Sequence, residues 1–150
     1  MNRAQHKLMT ILQKINVFQG LDPYDAERLV HLCQSKVFEA NTQVFKAGEP
    51  SESMLVLITG KLKAVSREGK DLAEITPGNS IGEMGVFTNH RRSATIVAVE
   101  KSLALSVEKS LLDALLKQDE GMRAVILQNV VDLLADRLAD ANQQISELQS

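Results

Sequence analysis

One cysteine, three prolines, one tyrosine and no tryptophan occur in 150 residues. The lone thiol, Cys33, excludes an internal disulfide framework, a cysteine-rich zinc site and an iron–sulfur cluster held by this chain alone. Neither sign of charge dominates: 17 Lys and Arg stand against 19 Asp and Glu, for a net charge of −2. With no basic block longer than a pair, a nucleic-acid-binding surface is not expected. No apolar run approaches the ~18 residues that cross a bilayer. The opening Met1-Asn2-Arg3-Ala4-Gln5-His6-Lys7 lacks the apolar core of a signal peptide and reads as a native start or a frayed helix. A reducing cytoplasm is therefore the expected compartment. The remaining composition, 44% apolar and 24% charged, suits one compact soluble domain with a small appendage. A chain of this length can bury roughly 70% of its unfolded surface, enough for a core without staples.

Leu8, Ile11, Leu12 and Ile15 recur at helical spacing and predict an amphipathic helix over about 3–16. Asp22-Pro23 opens a second helix with a cap and a proline at its first position. From Lys36 the pattern changes to short β-rich runs: Val37-Phe38, Val44-Phe45, Met54 to Ile58, Leu62 to Val65, Leu72 to Ile75, Ala94 to Val99 and Leu103 to Val107. Gly and Pro punctuate them; Glu68-Gly69 fits a tight hairpin and Pro77-Gly78 a type II turn. Seven or eight such strands predict a small sandwich or an antiparallel β jelly-roll barrel, flanked by helices in an α+β arrangement.

From Glu108 the strands stop. Leu111, Leu112, Leu115 and Leu116 mark a short helix broken near Asp119-Glu120-Gly121, and a long helix is predicted from about Met122 to Leu148, roughly 40 Å at 1.5 Å per residue. This divides the chain into residues 1–121, a domain-sized unit of strands and flanking helices, and 122–150, a helical lid or dimerisation segment. The helix carries two apolar stripes. Ile126, Val130 and Leu133 suit docking onto the barrel. Leu127, Val131, Leu134, Leu138, Ala141, Ile145 and Leu148 continue past any such contact, with Val131, Leu138 and Ile145 at heptad a and the others at d. That pattern predicts a weak parallel homodimer seam; the competing reading lays the helix along its own barrel.

The segment that carries chemistry is Ile81-Gly82-Glu83-Met84-Gly85-Val86-Phe87-Thr88-Asn89-His90-Arg91-Arg92-Ser93-Ala94-Thr95. A helical turn over Glu83 to Phe87 would present backbone N–H groups suited to an anion. Arg92 offers a planar fork for two phosphate oxygens, Ser93 a hydroxyl, and Glu83 an acceptor for a sugar hydroxyl. On residue chemistry alone two readings stand open: a reader of a sugar phosphate, or a Glu83–Arg92 surface pair that closes a loop.

This stretch resembles the phosphate-binding cassette of cyclic nucleotide-binding domains, the family that includes catabolite activator proteins and kinase regulatory subunits. Ile15-Asn16-Val17-Phe18-Gln19-Gly20-Leu21 is similar to the family's helical entry. Phe45-Lys46-Ala47-Gly48-Glu49-Pro50 and Leu57-Ile58-Thr59-Gly60-Lys61-Leu62 resemble its glycine-marked strands, and Thr76-Pro77-Gly78-Asn79-Ser80-Ile81-Gly82-Glu83-Met84 leads into the cassette that Arg92-Ser93-Ala94-Thr95 ends. The resemblance implies that Arg92 pairs with a cyclic phosphate and Glu83 holds the ribose 2′-hydroxyl. It implies that Gly82 and Gly85 let backbone approach the ligand, with amides near Gly85 and Ser93 aimed at phosphate and Met84 between the two glycines counted among the ligand-binding residues. Ala64, Leu72 and Ala73 match strand positions on the base side, and Asn142, beside Ala141, matches helix positions that contact the base in bacterial dimers. The cassette has the shorter spacing of the kinase-like members. Ser93 serves either the phosphate or a guanine amino group; cAMP is expected over cGMP.

Metal and catalytic alternatives find little to build on. His6, His31 and His90 fall on two helices and a loop without ligand spacing; His31 reads as a helix-face residue, His90 as a solvated one and Cys33 as a core thiol. No Ser–His–Asp or paired-carboxylate arrangement is visible. The expectation is a cytoplasmic signal-sensing module that binds a cyclic nucleotide, needs no metal or other cofactor, touches neither nucleic acid nor membrane, and acts on an unidentified protein effector. The transcription factors of the family continue into a helix-turn-helix beyond the long helix, whereas this sequence stops at Ser150, so a standalone sensor is the literal reading. A degenerate barrel that only dimerises is the rival, and intact Glu83 and Arg92 speak against it.

Overall fold

A computed structural model describes residues 2–149. Helix α1 spans Arg3–Lys14, two residues shorter than the apolar period predicts, and starts at a capping box in which Asn2 and Gln5 exchange side-chain and backbone hydrogen bonds. A 3₁₀ turn, Asn16–Phe18, leads to α2, Pro23–Leu32, capped by Asp22 with Pro23 in the first turn as expected.

Eight strands follow: β1 Gln34–Phe38, β2 Gln43–Phe45, β3 Ser53–Thr59, β4 Leu62–Val65, β5 Asp71–Ile75, β6 Ser80–Ile81, β7 Thr95–Ala98 and β8 Ser102–Glu108. They form two antiparallel four-stranded sheets, ordered β1-β8-β3-β6 and β2-β7-β4-β5. Among the described residues this is a two-sheet jelly roll; no closed barrel forms, because no strand is shared between the sheets. The Thr76–Asn79 turn matches its prediction, with Gly78 at φ +91° and Asn79 N–H donating to Thr76 O at 3.3 Å.

Strand β3 shows how the layers assemble. Its side chains alternate, so Met54 and Val56 face the helices while Leu57 faces the second sheet. Met54, Val56, Leu105 and Val107 join Leu12, Phe18, Leu29, Leu112 and Ile126 in the main core. Leu57 packs with Leu62, Ile75, Ile96 and Ala98 between the sheets. Each of these large side chains contributes about 1.5–3 kcal/mol by leaving water.

After the short helix α3, Glu83–Phe87, and strands β7 and β8, the chain enters α4, Lys109–Gln118, and α5, Glu120–Gln149. The α4–α5 break falls at Asp119, whose carboxylate accepts from Met122 N–H at 2.9 Å and from Arg28 Nη1 at 2.6 Å. Met122, Ile126 and Val130 are buried, and Leu133 packs at the edge of the same core, so the first stripe docks on the domain as expected. Asn129 secures it, its amide donating to Val17 O at 3.0 Å and Gln19 O at 2.7 Å. Beyond Leu134, which also touches the core, residues 135–149 are all exposed. The second half of α5 therefore does not lie along its own sheets. Among the described residues no helix is long and apolar enough to cross a membrane.

Candidate functional site

The short strand β6, which periodicity did not reveal, pairs Ile81 with Leu55 and Ser80 with Val56. It delivers the chain to Gly82, the residue that caps α3 at φ +82°. A Cβ there would collide with Arg92 Nη1, so position 82 needs glycine for both its backbone and its neighbour. Gly85 is required for a different reason: a Cβ would run into the Ser51 side chain. These glycines serve packing within the cassette, a role that resemblance alone did not assign.

Arg92 is held from several directions. Its N–H donates to Glu49 O and its carbonyl accepts from Gly48 N–H, both at 2.8 Å, which locks the loop after α3 against the β2–β3 connection. Its guanidinium lies over the Phe45 ring, 3.5 Å from the centroid, and Nη2 donates to Ser53 O at 2.8 Å. Nη1 is buried and has no hydrogen-bond partner among the described residues. Burial pushes the Arg92 pKa down, while the nearby charges of Glu49 and Glu52 push it up.

Glu83 is 2% exposed. Its Oε1 pairs with Arg137 of α5, and its Oε2 accepts from Ser80 Oγ at 3.4 Å. The Glu83–Arg92 surface pair left open by the residue chemistry is thereby overturned: both groups are buried, and each has its own partner. Behind the cassette, Lys109 Nζ donates to Thr88 O at 2.9 Å and, more weakly, to Gly85 O and Asn89 Oδ1 at 3.4 Å. A cation at the C-terminal end of α3 is favourably placed for the exposed carbonyls there.

Arg92, Glu83 and Arg137 line one cavity of about 390 Å³. Of the expected residues, Gly82, Glu83, Met84, Gly85, Arg92, Ser93, Ala64 and Ala73 line it. Leu72 and Asn142 do not. Leu72 is the extra residue of a bulge, since Ala64 pairs with Ala73 and Val65 with Asp71, and its side chain is 58% exposed. Asn142 lies on the exposed half of α5, and the helix residue that reaches the cavity is Arg137, one and a half turns earlier. Arg91 and His90 line the cavity as well, Arg91 donating to Gly48 O at 3.1 Å and His90 Nδ1 lying 3.0 Å from Thr88 Oγ1. Arg137 was missed because only the folded helix sets it over Glu83; its one sequence signal is that no Lys or Arg follows it in α5.

His31 is a helix-face residue beside Glu27, and Cys33 sits at the end of α2 with its Sγ 3.3 Å from Leu29 O. Burial pushes the Cys33 thiol up to about 12.

Residues 35–119 match the cyclic nucleotide-binding domain family. The chain belongs to that family. This cyclic nucleotide-binding domain is 27% identical over 125 residues to an uncharacterized NTE family protein of Mycobacterium tuberculosis, covering 83% of this chain and 21% of that protein. It is 26% identical over 142 residues to the CRP-like cAMP-activated global transcriptional regulator of the same species, covering 92% and 62%. Among solved structures it resembles the catabolite activator protein of Thermus thermophilus, with a TM-score of 0.76, 25% identity and coverage of 89% and 63%. The chain thus spans between about a fifth and three-fifths of the curated relatives named here.

Proposed function

We propose that this domain binds a cyclic nucleotide monophosphate, cAMP in preference to cGMP, and works as a signal-sensing regulatory module and not as an enzyme. The observation that carries this reading is the Arg92 guanidinium: buried, stacked on Phe45, fixed through Nη2 and left with an orphaned Nη1 at the wall of the cavity. A buried donor without an acceptor costs about 1–3 kcal/mol, more when charged, and an anionic phosphate oxygen offsets that cost. Glu83 then accepts from the ribose 2′-hydroxyl in competition with its ion pair to Arg137. Amides near Gly85 and Ser93 face the phosphate. Ala64 and Ala73 leave a low wall for the base, and Ser93 supplies the hydroxyl that bears on base choice. The cAMP-activated regulator among the relatives supports the preference for adenine.

Ligand at the cassette and Arg137 at Glu83 share one carboxylate, so binding shifts the population of α5 positions. In the proposed homodimer, Leu127, Val131, Leu134, Leu138, Ala141, Ile145 and Leu148 form the seam that passes this shift to the second subunit and to a protein effector, in the cytoplasm and without nucleic acid, membrane or a further cofactor. Asn142 is available for a base contact only through a rearranged or partner helix. The alternative, a non-binding dimerisation module, draws support from the ion pair that already satisfies Glu83. The orphaned Arg92 amino group weighs against it. Calorimetric titration of the full chain with cAMP and cGMP, after its co-purifying small molecules are identified and removed, is expected to give saturable binding with cAMP tighter. Absence of heat with both nucleotides overturns the proposal.

A further inference from the structure

Strand β2 departs from simple alternation. Gln43 pairs with Val97 and Phe45 with Ile96, so two steps on β2 cover one step on β7, and Val44 is the extra residue of a bulge. In an unbroken strand Phe45 would share the face of Gln43, which is exposed. With the bulge it shares the face of Ile96, and Val44 and Phe45 both pack against the cluster between the sheets. The Phe45 ring thereby lines the same cavity as Arg92.

What the ring does there follows from how the Arg92 guanidinium is held. Among the described residues it donates only from Nη2, to Ser53 O at 2.8 Å and weakly to Ser53 Oγ at 3.5 Å. No carboxylate among them forms an ion pair with it; Glu49 and Glu52 act only through space. Bonds to one residue fix a point and leave the guanidinium plane free to turn about it. Two neutral surfaces remove that freedom. One is the Phe45 ring, whose centroid lies 3.5 Å from Arg92 Cζ, and the other is Gly82, where a Cβ would collide with Nη1. A cation over an aromatic face gains most where water is excluded, and Arg92 is only 7% exposed. Glu83 and Arg137, in the same cavity, show the other way to hold a guanidinium: a carboxylate that also neutralises it.

We propose that Phe45 is a positioning residue: its ring face holds the Arg92 guanidinium in the plane that meets an anionic ligand and, being neutral, leaves the positive charge to that ligand. The identity of the ligand rests on the cyclic-nucleotide reading above; the positioning rests on the ring–guanidinium geometry alone.

The test compares Phe45→Leu, which keeps an apolar side chain, with Phe45→Tyr, which keeps the aromatic face, in the full chain. In the nucleotide-free protein, the ¹⁵N order parameter of the Arg92 Nε–H group, assigned by its loss in Arg92→Lys, reports how tightly the side chain is held. It is expected to approach that of the rigid backbone in wild type and Phe45→Tyr. In Phe45→Leu it should fall well below, with the backbone of β2 unchanged. Titration with cAMP should show binding weakened about tenfold in Phe45→Leu and held within about threefold in Phe45→Tyr. A ring that merely fills space predicts a rigid Arg92 and near wild-type affinity with leucine. If Phe45→Leu lacks the wild-type circular dichroism, Phe45→Met takes its place in both measurements. A rigid Arg92 side chain or wild-type affinity in the aliphatic variant, or an equal loss in Phe45→Tyr, overturns the proposal. Failure of the wild type to bind either nucleotide overturns the cyclic-nucleotide reading instead, and the order parameters then decide the positioning role by themselves.

Discussion

Glu83 takes its ion-pair partner from Arg137 of the long helix and not from the neighbouring Arg92. The carboxylate is almost fully buried, whereas the Arg137 side chain is 49% exposed. One bond thus connects the cassette to α5, next to the point where that helix leaves the domain.

Removing the cation should strand the buried carboxylate. Arg137→Met is expected to cost about 1–3 kcal/mol in urea denaturation, between the values for an exposed pair and a buried one. Adding Glu83→Gln should restore part of that loss, because the neutral amide is less costly to bury. A double-mutant cycle measures the coupling. A coupling indistinguishable from zero would show that the two side chains merely cross.

Arg92 has one amino group on Ser53 and one without a partner among the described residues, so its replacement should cost binding far more than stability. Wild-type protein is expected to melt several degrees higher with saturating cAMP, and Arg92→Ala should lose most of that shift. Affinity should fall by about two orders of magnitude or more, the usual result of truncating one side of a buried charged contact. Arg92→Lys should not rescue it, since one ammonium cannot serve Ser53 O and a ligand with the geometry of the planar fork. Equal thermal shifts in wild type and Arg92→Ala would remove the phosphate role.

The acid limb of stability should report on the α4–α5 break. Asp119 is held below the ordinary aspartate value of 3.8, first by the Met122 N–H and then by Arg28. Its folded pKa is depressed, so its contribution is present above 3.8 and is lost as pH falls through the lower folded value. Denaturation midpoints measured from pH 6 down to pH 2 should decline over that lower range, and Asp119→Asn should flatten the decline. An unchanged slope in the variant would assign the acid sensitivity to other carboxylates.

What was legible in the sequence was local. Asp22-Pro23, the Pro77-Gly78 turn and the α3 helix are each specified by residues within a few positions of one another, and all appear as expected. The core strands followed from alternation, while two-residue β6 was too short to carry a period. Arg137 over Glu83, Ser53 under Arg92 and Lys109 behind α3 join segments far apart in the chain, and no spacing rule brings them together. Leu72 failed for a similar reason: one bulged residue turns a strand position from the cavity to solvent, and the sequence gives no sign of the bulge.

The exposed half of α5 bears on assembly. Leu138 is 63% exposed and Ile145 52%, both on the second stripe, while Leu134 on the same stripe packs against the core of its own domain. Replacing Leu134 would therefore mix folding with association, and Leu138→Lys with Ile145→Lys is the cleaner pair. Two buried ammonium groups at heptad a positions are incompatible with a parallel two-stranded seam of this length. Sedimentation velocity should show a concentration-dependent dimer for the wild type and a monomer for the double variant, with the same melting temperature for the monomeric domain. A dimer that survives both substitutions would place the interface elsewhere on the molecule.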